Sequence, residues 1–493
     1  MQQREGKATP VAAAESAGGK SGSGKRAEAV AAQIEADVVA AGWPVGTILG
    51  SELRLAEQYG VSRAVFREAA RLVEHHQVAR MRRGRNGGLV VVEPDESAVV
   101  EAVSIYLEHL RVSTRELFEA RTVLELFGVR LAADRLDDEQ LLGLRDEIAD
   151  EAANIGSYTG RGRHRMHEVI ADLAGNSALS LFVRTAVTLS YRFFRTVLED
   201  RPRSATAARE THRAHAAIVK AIAAGDGLGA RHRMLRHLDA LHQSVLRLAD
   251  DTDHGPVWLS PVVDDEAVDR TRPADVLAAR IRRNIVRRGW PVGENLGYEP
   301  DLLARYDVSR AMFREAVRVL ENQSVVRMRR GSNGGMVVDR PSVEAVVRAV
   351  SLYLEYRGIT AAELDELREE IEATTVRLAI ERLTPDGAAR LRAVIDVERD
   401  HPDAEFSAVS HDLHAVIAEL SGNRTLSLLL SILAELTFRQ LRKARHDRTE
   451  PAGSPDDVRL AHRKIVQAIL DGDAPLAQRR IRVHLHALAG FAR

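Results

Sequence analysis

The chain repeats itself at one fixed spacing. "GWPVG" begins at Gly42 and again at Gly289, and "RMRRG" begins at Arg80 and at Arg327. "NGG" begins at Asn86 and Asn333, "SIYLE" at Ser104 is answered by "SLYLE" at Ser351, and "AGN" at Ala174 by "SGN" at Ser421. Every pair lies 247 residues apart. A constant offset means no net insertion separates the copies at these landmarks, so both halves share one fold. A period this long is a duplicated multi-domain module and not a short solenoid repeat. The full length of 493 residues also exceeds what one ordinary core supports.

Breaks in composition divide each copy. Residues 1–24 scatter charge among Gly, Ser and Ala with no apolar run, which reads as a disordered tail and not a signal peptide. Residues 249–273 are rich in Asp and Pro and lack helical periodicity, which reads as a linker. "VEPD" at Val92 and "VDRP" at Val338 split each module again. The resulting domains are 25–94 and 95–248 in the first module and 274–340 and 341–493 in the second. The fold class expected is mainly α: each module is a winged helix-turn-helix with a small hairpin, followed by an all-α bundle. Only 4% of residues are aromatic, and Ala, Leu and Arg are abundant, a balance that favours helices.

The small domains carry the turn chemistry of a helix-turn-helix. Val30, Ile34, Val38 and Val39 recur on one helical face, and Pro44 and Gly46 end that helix. "SELRLAEQYGVSRAVFREAARLVEHH" then reads as a helix, a break at Gly60, and a second helix with Ser62 as N-cap. Leu55, Tyr59, Val61, Phe66, Ala70 and Val73 form its apolar seam. "VARMRRGRNGGLVVV" reads as two β-prone runs about a basic, Gly-rich turn, a hairpin or wing. The formal net charge is −1, so binding to nucleic acid must come from local patches. Arg63, Arg67, Arg71, Arg80, Arg82, Arg83 and Arg85 concentrate positive charge on the second helix and wing. Arg310, Arg314, Arg318, Arg327, Arg329 and Arg330 repeat the pattern. Such a placement suits a recognition helix in the major groove with arginines on phosphates.

These stretches resemble the winged helix-turn-helix of GntR-type bacterial transcription regulators. The resemblance implies DNA contacts from Ser62, Arg63, Ala64, Val65 and Arg67, and from Arg83 and Gly84 in the wing. In the second copy it implies Ser309, Arg310, Ala311, Met312, Arg314, Arg330 and Gly331. One departure recurs: the family's P-[S/A]-E-R ends in Leu53 and Pro300 here, neither of which can replace the Arg that often touches DNA.

The large domains open on capping boxes, Ser113 to Glu116 and Thr360 to Glu363. Leu117, Val123, Leu124, Phe127 and Leu131 follow along one face. Three histidines recur at the offset: His167 with His414, His215 with His462, and His237 with His484. Each lies on an amphipathic stretch, so three imidazoles from separate helices can meet in the bundle and suit a transition metal such as Zn or Ni.

This half resembles the FCD sensor domain of the FadR subfamily. Arg121 with Glu125, and Arg368 with Glu372, match its first motif; "HEVIADLAGN" and "HAVIAELSGN" match its second. "HAAIVKAIAAGD" and "HRKIVQAILDGD" match the third, and the stretches ending at His237 and His484 the fourth. The resemblance implies a divalent metal on three His and one Asp, with a small carboxylate effector completing its coordination. The Asp is replaced by Arg163 in the first module and Ser410 in the second. A guanidinium beside the histidines disfavours a cation; Arg163 either meets an anionic effector directly, with Arg121 and Arg368 as the other effector-binding candidates, or turns out to solvent.

Taken together, the sequence points to a ligand-responsive transcription regulator, a repressor by resemblance. It would act as an intramolecular pseudo-dimer on a short pseudo-palindromic operator, with an organic acid or acyl compound as effector and further oligomerisation left open. The absence of cysteine fits a reducing cytoplasm, and no apolar run is long enough for a membrane. Two other readings stay open. A tri-histidine metal enzyme lacks the second His that His167-Glu168 would need for an H-E-x-x-H site. A non-specific DNA-binding protein would leave no discrete footprint.

Overall fold

The computed structural model describes residues 21–84, 87–155, 165–198, 205–250, 272–329, 334–400, 406–447 and 455–492. The first half runs α1 (Ser21–Ala40), β1 (Ile48–Gly50), α2 (Glu52–Gln58), α3 (Arg63–His75), β2 (Ala79–Arg82) and β3 (Gly88–Val91). It continues through α4 (Glu96–His109), α5 (Thr114–Arg135), α6 (Asp138–Ala153), α7 (Arg165–Leu173), α8 (Ser177–Leu198), α9 (Ala205–Ala223) and α10 (Gly227–Asp250). The second half begins α11 (Pro273–Arg287), α12 (Glu299–Tyr306), α13 (Arg310–Asn322), β4 (Val326–Arg329) and β5 (Gly335–Val338). It ends in α14 (Val343–Tyr356), α15 (Ala361–Glu381), α16 (Pro385–Asp400), α17 (Phe406–Leu420), α18 (Arg424–Asp447), α19 (Pro455–Leu470) and α20 (Ala474–Ala492). Helix α1 starts inside the stretch expected to be tail. Residues 1–20 and most of the expected linker, 251–271, lie outside the described residues.

In the first winged domain α3 carries Phe66, Ala69, Ala70 and Val73 into one core with Ala27, Ala31, Ile34 and Val38 of α1. Ser62 caps α3, its hydroxyl accepting from the Val65 N–H, and Gly60 takes φ +64 at the helix-turn-helix corner. The wing is the antiparallel pair β2–β3, with Ala79 opposite Val91 and Arg82 opposite Gly88. A third strand, β1, pairs with β3 and had no sequence signal, being three residues long between two turns. The second domain keeps the β4–β5 hairpin in equivalent register. Where β1 would be, Asn295 bridges Val337, and the Leu296 N–H and the Gly297 carbonyl still bond the Met336 backbone at 2.8 and 3.0 Å.

The compact units are not the two sequence modules. One unit holds residues up to Val99 together with Arg348–Gly358; the other holds Val100–Val347 and Ile359–Arg493. Within the first unit, Leu352 and Tyr356 of α14 close the core of the first winged domain, and the Tyr356 ring lies 5.5 Å from that of Trp43. Within the second, Ile105 of α4 closes the core of the second winged domain, and the His109 ring lies 5.3 Å from that of Trp290. Each winged domain is therefore covered by the connecting helix of the other module. Contacts between residues this far apart in sequence are announced by no local pattern.

The second unit also contains both helical bundles. Helix α5 packs against α7, α8 and α10, and α15 against α17, α18 and α20. The expected face of α5 is buried at Leu117, Leu124, Phe127 and Leu131, with Val123 half-buried. Both capping boxes form as expected. They also join the bundles reciprocally. Asn176 Nδ2 donates to the Glu363 carbonyl at 2.8 Å, and Asn423 Nδ2 to the Glu116 carbonyl at 2.9 Å. Arg135 reaches Glu366, and Arg382 reaches Glu119. Each contact becomes the other when one partner moves forward and the other back by 247 positions.

Candidate nucleic-acid interface and histidine clusters

The N-terminal turns of α3 and α13 present the residues expected to meet DNA. Ser62, Arg63, Ala64 and Arg67 are exposed and Val65 is half-buried; Ser309, Arg310, Ala311 and Arg314 are exposed and Met312 is half-buried. Arg83 and Gly84 lie exposed at the first wing, and Gly84 takes φ +116. Arg330, Gly331 and Arg85 lie outside the described residues. Free N–H groups and the positive end of the helix dipole add to this surface. The Ser62 oxygen caps the helix, which leaves its O–H able to donate to a phosphate. Arg67 Nε donates to Glu52 Oε1 at 2.9 Å, and Arg314 Nε to Glu299 Oε1 at 3.2 Å. Glu52 and Glu299 are the acidic residues of the two altered P-[S/A]-E-R stretches. They hold each arginine in place along its helix and partly offset its charge. Leu53, where an arginine often stands, is exposed and apolar.

In the bundles the three histidines of each copy do converge, as their spacing suggests. His167, His215 and His237 are buried, and so are His414, His462 and His484. His237 Nε2 lies 3.1 Å from His215 Nε2 and 3.3 Å from His167 Nε2. In the second copy His462 Nε2 and His484 Nε2 are 3.2 Å apart, and His414 Nε2 is buried with no hydrogen-bond partner. Carboxylates behind the rings set their tautomers. His167 Nδ1 donates to Glu125 and His414 Nδ1 to Glu372. His215 Nδ1 donates to Glu151 at 2.8 Å and His462 Nδ1 to Glu398 at 2.7 Å. A proton on Nδ1 leaves the Nε2 lone pair bare, as ligation requires.

Burial keeps the first ring of each triad neutral. Loss of water holds His167 and His414 below the ordinary imidazole range, although Glu125 and Glu372 pull the other way. Burial works against ionising Glu125 and Glu372 too, but Arg121 with His167, and His414 with Arg368, overcome it and hold both carboxyls at about 2. The donor set of three imidazoles, two of them backed by carboxylates, therefore fits a divalent cation.

Arg121 is fully buried. Its Nε donates to Glu125 Oε1 at 2.7 Å, while neither Nη has a hydrogen-bond partner. Arg368 repeats the first contact, its Nε donating to Glu372 at 2.6 Å. Arg163 lies outside the described residues; Ser410 is on α17, but its side chain is not among those described. The replacement of the expected Asp is thus a fact of sequence alone. Glu151 and Glu398 escaped the sequence reading, although they too stand 247 residues apart and could have been found by that spacing.

The FCD domain family matches residues 116–240 and 363–487, just over half of the chain. The chain belongs to the FCD-domain family. The family of bacterial regulatory proteins of gntR type matches residues 26–90. The HTH-type transcriptional repressor NanR of Cronobacter sakazakii is 27% identical over 233 residues, covering 44% of this chain and 85% of that protein. NanR of Escherichia coli K12 is 27% identical over 228 residues, covering 45% of this chain and 84% of its own. Among solved structures, Streptococcus agalactiae GntR aligns at a TM-score of 0.36 and 23% identity, over 44% of this chain and 99% of its own. Escherichia coli McbR/YncC aligns at 0.24 and 18%, over 46% of this chain and 98% of its own. With a gntR-type winged domain ahead of an FCD domain, the chain is a DNA-binding transcription regulator. Among the described residues no helix is long and apolar enough to cross a membrane.

Proposed function

We propose that one chain acts as an effector-responsive repressor in which its two winged domains read the two halves of one short pseudo-palindromic operator. The reciprocal contacts of Asn176 with Glu363 and Asn423 with Glu116 carry this reading, because contacts that exchange under one fixed offset are what a two-fold interface between separate chains would show. Operator symmetry then mirrors the symmetry of the modules. Ser62, Arg63, Ala64, Val65, Arg67, Arg83 and Gly84 face one half-site; Ser309, Arg310, Ala311, Met312 and Arg314 face the other, with Arg330 and Gly331 as candidates from the sequence alone. Salt should weaken binding steeply, since each arginine on a phosphate displaces counterions.

The effector is a small organic anion. The two unpartnered Nη groups of buried Arg121 support this, since a buried guanidinium costs stability unless its donors are satisfied. A divalent metal on His167, His215 and His237, or on His414, His462 and His484, would supply Lewis acidity to grip a carboxylate. Arg121 and Arg368 then orient the anion and offset its charge. A bound effector changes DNA affinity only if it binds the two arrangements of the winged domains unequally. Isothermal titration of candidate organic acids, with and without added Zn, tests this half of the proposal. Binding that survives Arg121→Ala and Arg368→Ala together contradicts it.

A further inference from the structure

The two winged domains meet the two connecting helices through almost the same apolar surface. Ile105 occupies the place of Leu352, and Trp290 that of Trp43, at the 247 offset. Apolar packing therefore gives no reason for the first winged domain to prefer α14 over α4. The charges do. In the first unit Arg348 of α14 donates from Nε to buried Glu35 of α1 at 2.8 Å, and Glu35 also accepts from His76 Nδ1 at 2.7 Å. In the second unit Glu101 of α4 accepts from Arg282 of α11 and from Arg192 of α8, and the Arg282 Nε lies 3.3 Å from Glu108 Oε2.

Glu35 and Arg282 are equivalent positions, and so are Arg348 and Glu101. The same contact is thus built twice with its charges reversed. Docked on the helix of its own module, the first winged domain would set Glu35 against Glu101. The second would set Arg282 against Arg348. Both alternatives bury like charges, which costs far more than a rim mismatch. The same holds for two copies of the chain pairing first module to first module.

We infer that the reversed pairs Glu35–Arg348 and Arg282–Glu101 are a specificity lock that makes each winged domain dock on the connecting helix of the opposite module. Duplication alone produces two interchangeable surfaces. A charge reversal in one of them makes the halves obligate unlike partners.

The test is a charge-swap cycle on the full chain, read by its first thermal transition. Glu35→Arg and Arg348→Glu should each lower it by on the order of 10 °C. The pair E35R/R348E should recover most of that loss; the remainder reflects His76, which would then face a guanidinium. Failure of the pair to exceed the weaker single variant would overturn the lock. A second readout does not depend on stability. Because the chain has no cysteine, V45C/Y356C joined by a short bismaleimide reports crossed docking. V45C/H109C, using the equivalent position of α4, reports docking within one module. In the parent background only the first should cross-link within a chain. In E35R/R348E all four dockings become complementary, and the second cross-link should appear. A V45C/H109C cross-link in the parent, or none in E35R/R348E, would overturn the proposal.

Discussion

The first winged domain and the second are one design at two levels of finish. The first caps α2 with Ser51, whose side chain accepts from the Arg54 N–H; the second places Tyr298 there with no side-chain cap. The first turns its helix-turn-helix at Gly60 with φ +64, whereas the second forces Asp307 into the same left-handed region at φ +53. The first adds the regular strand β1 to its wing, and the second keeps the pairing only as a bridge at Asn295 and two backbone bonds to Met336. Yet Ser62, Arg63 and Arg67 match Ser309, Arg310 and Arg314, and Arg67 and Arg314 rest on equivalent glutamates. The scaffold has drifted, while the turn proposed to face DNA keeps its serine and arginines and differs at Val65 against Met312. The shared residues should hold DNA in the same way, and Val65 against Met312 is where the two halves can read it differently.

The largest effect should come from the connecting helices. Buried Glu108 on α4 is pushed up to about 7 by loss of water, although Arg282 and Arg192 pull it down. Its partner position on α14, Glu355, is only half-buried. A carboxyl with a raised folded-state pKa favours the fold below its unfolded value and loses that advantage as pH rises. The second unit should therefore lose on the order of 3 kcal/mol between about pH 4.5 and 7. Glu108→Gln should flatten that slope in a series of denaturant melts. Glu101, held at about 2 by Arg192 and Arg282 against its burial, acts oppositely: its contribution persists above about pH 4.5 and is lost as pH falls towards 2.

A smaller effect compares the two helices proposed to face DNA. Arg63→Ala and Arg310→Ala should each weaken binding to one operator by about 1–3 kcal/mol, and by similar amounts. Fluorescence anisotropy on a minimal operator reads this directly; a large loss for one and none for the other would mean that the halves do not read DNA alike. The smallest effect concerns the corner itself. Asp307→Gly should stabilise the second winged domain by roughly 0.5–1 kcal/mol, and Gly60→Asp should destabilise the first by about as much. Thermal melts with opposite signs would confirm that finish, and not function, distinguishes the two turns.

Much of this was legible in the residues because it repeats. The helix-turn-helix, both capping boxes and the two histidine triads follow from periodicity, cap chemistry and one offset. Strand β1 did not, since three residues between turns carry no alternation. Nor did Glu151 and Glu398, whose role depends on a fold that brings them 64 residues along the chain to His215 and His462. The crossed docking was hidden for a different reason. Glu35 and Arg348 are 313 residues apart, and each alone looks like an ordinary charge on an amphipathic helix.

The central claim is that two half-site readers share one polypeptide. Sedimentation of the full chain on a minimal operator, at concentrations spanning saturation, tests it most directly. One chain per duplex, with a single protected site, is the expected result. Two chains on one minimal duplex would contradict it, because each chain would then supply only one of its winged domains to the site.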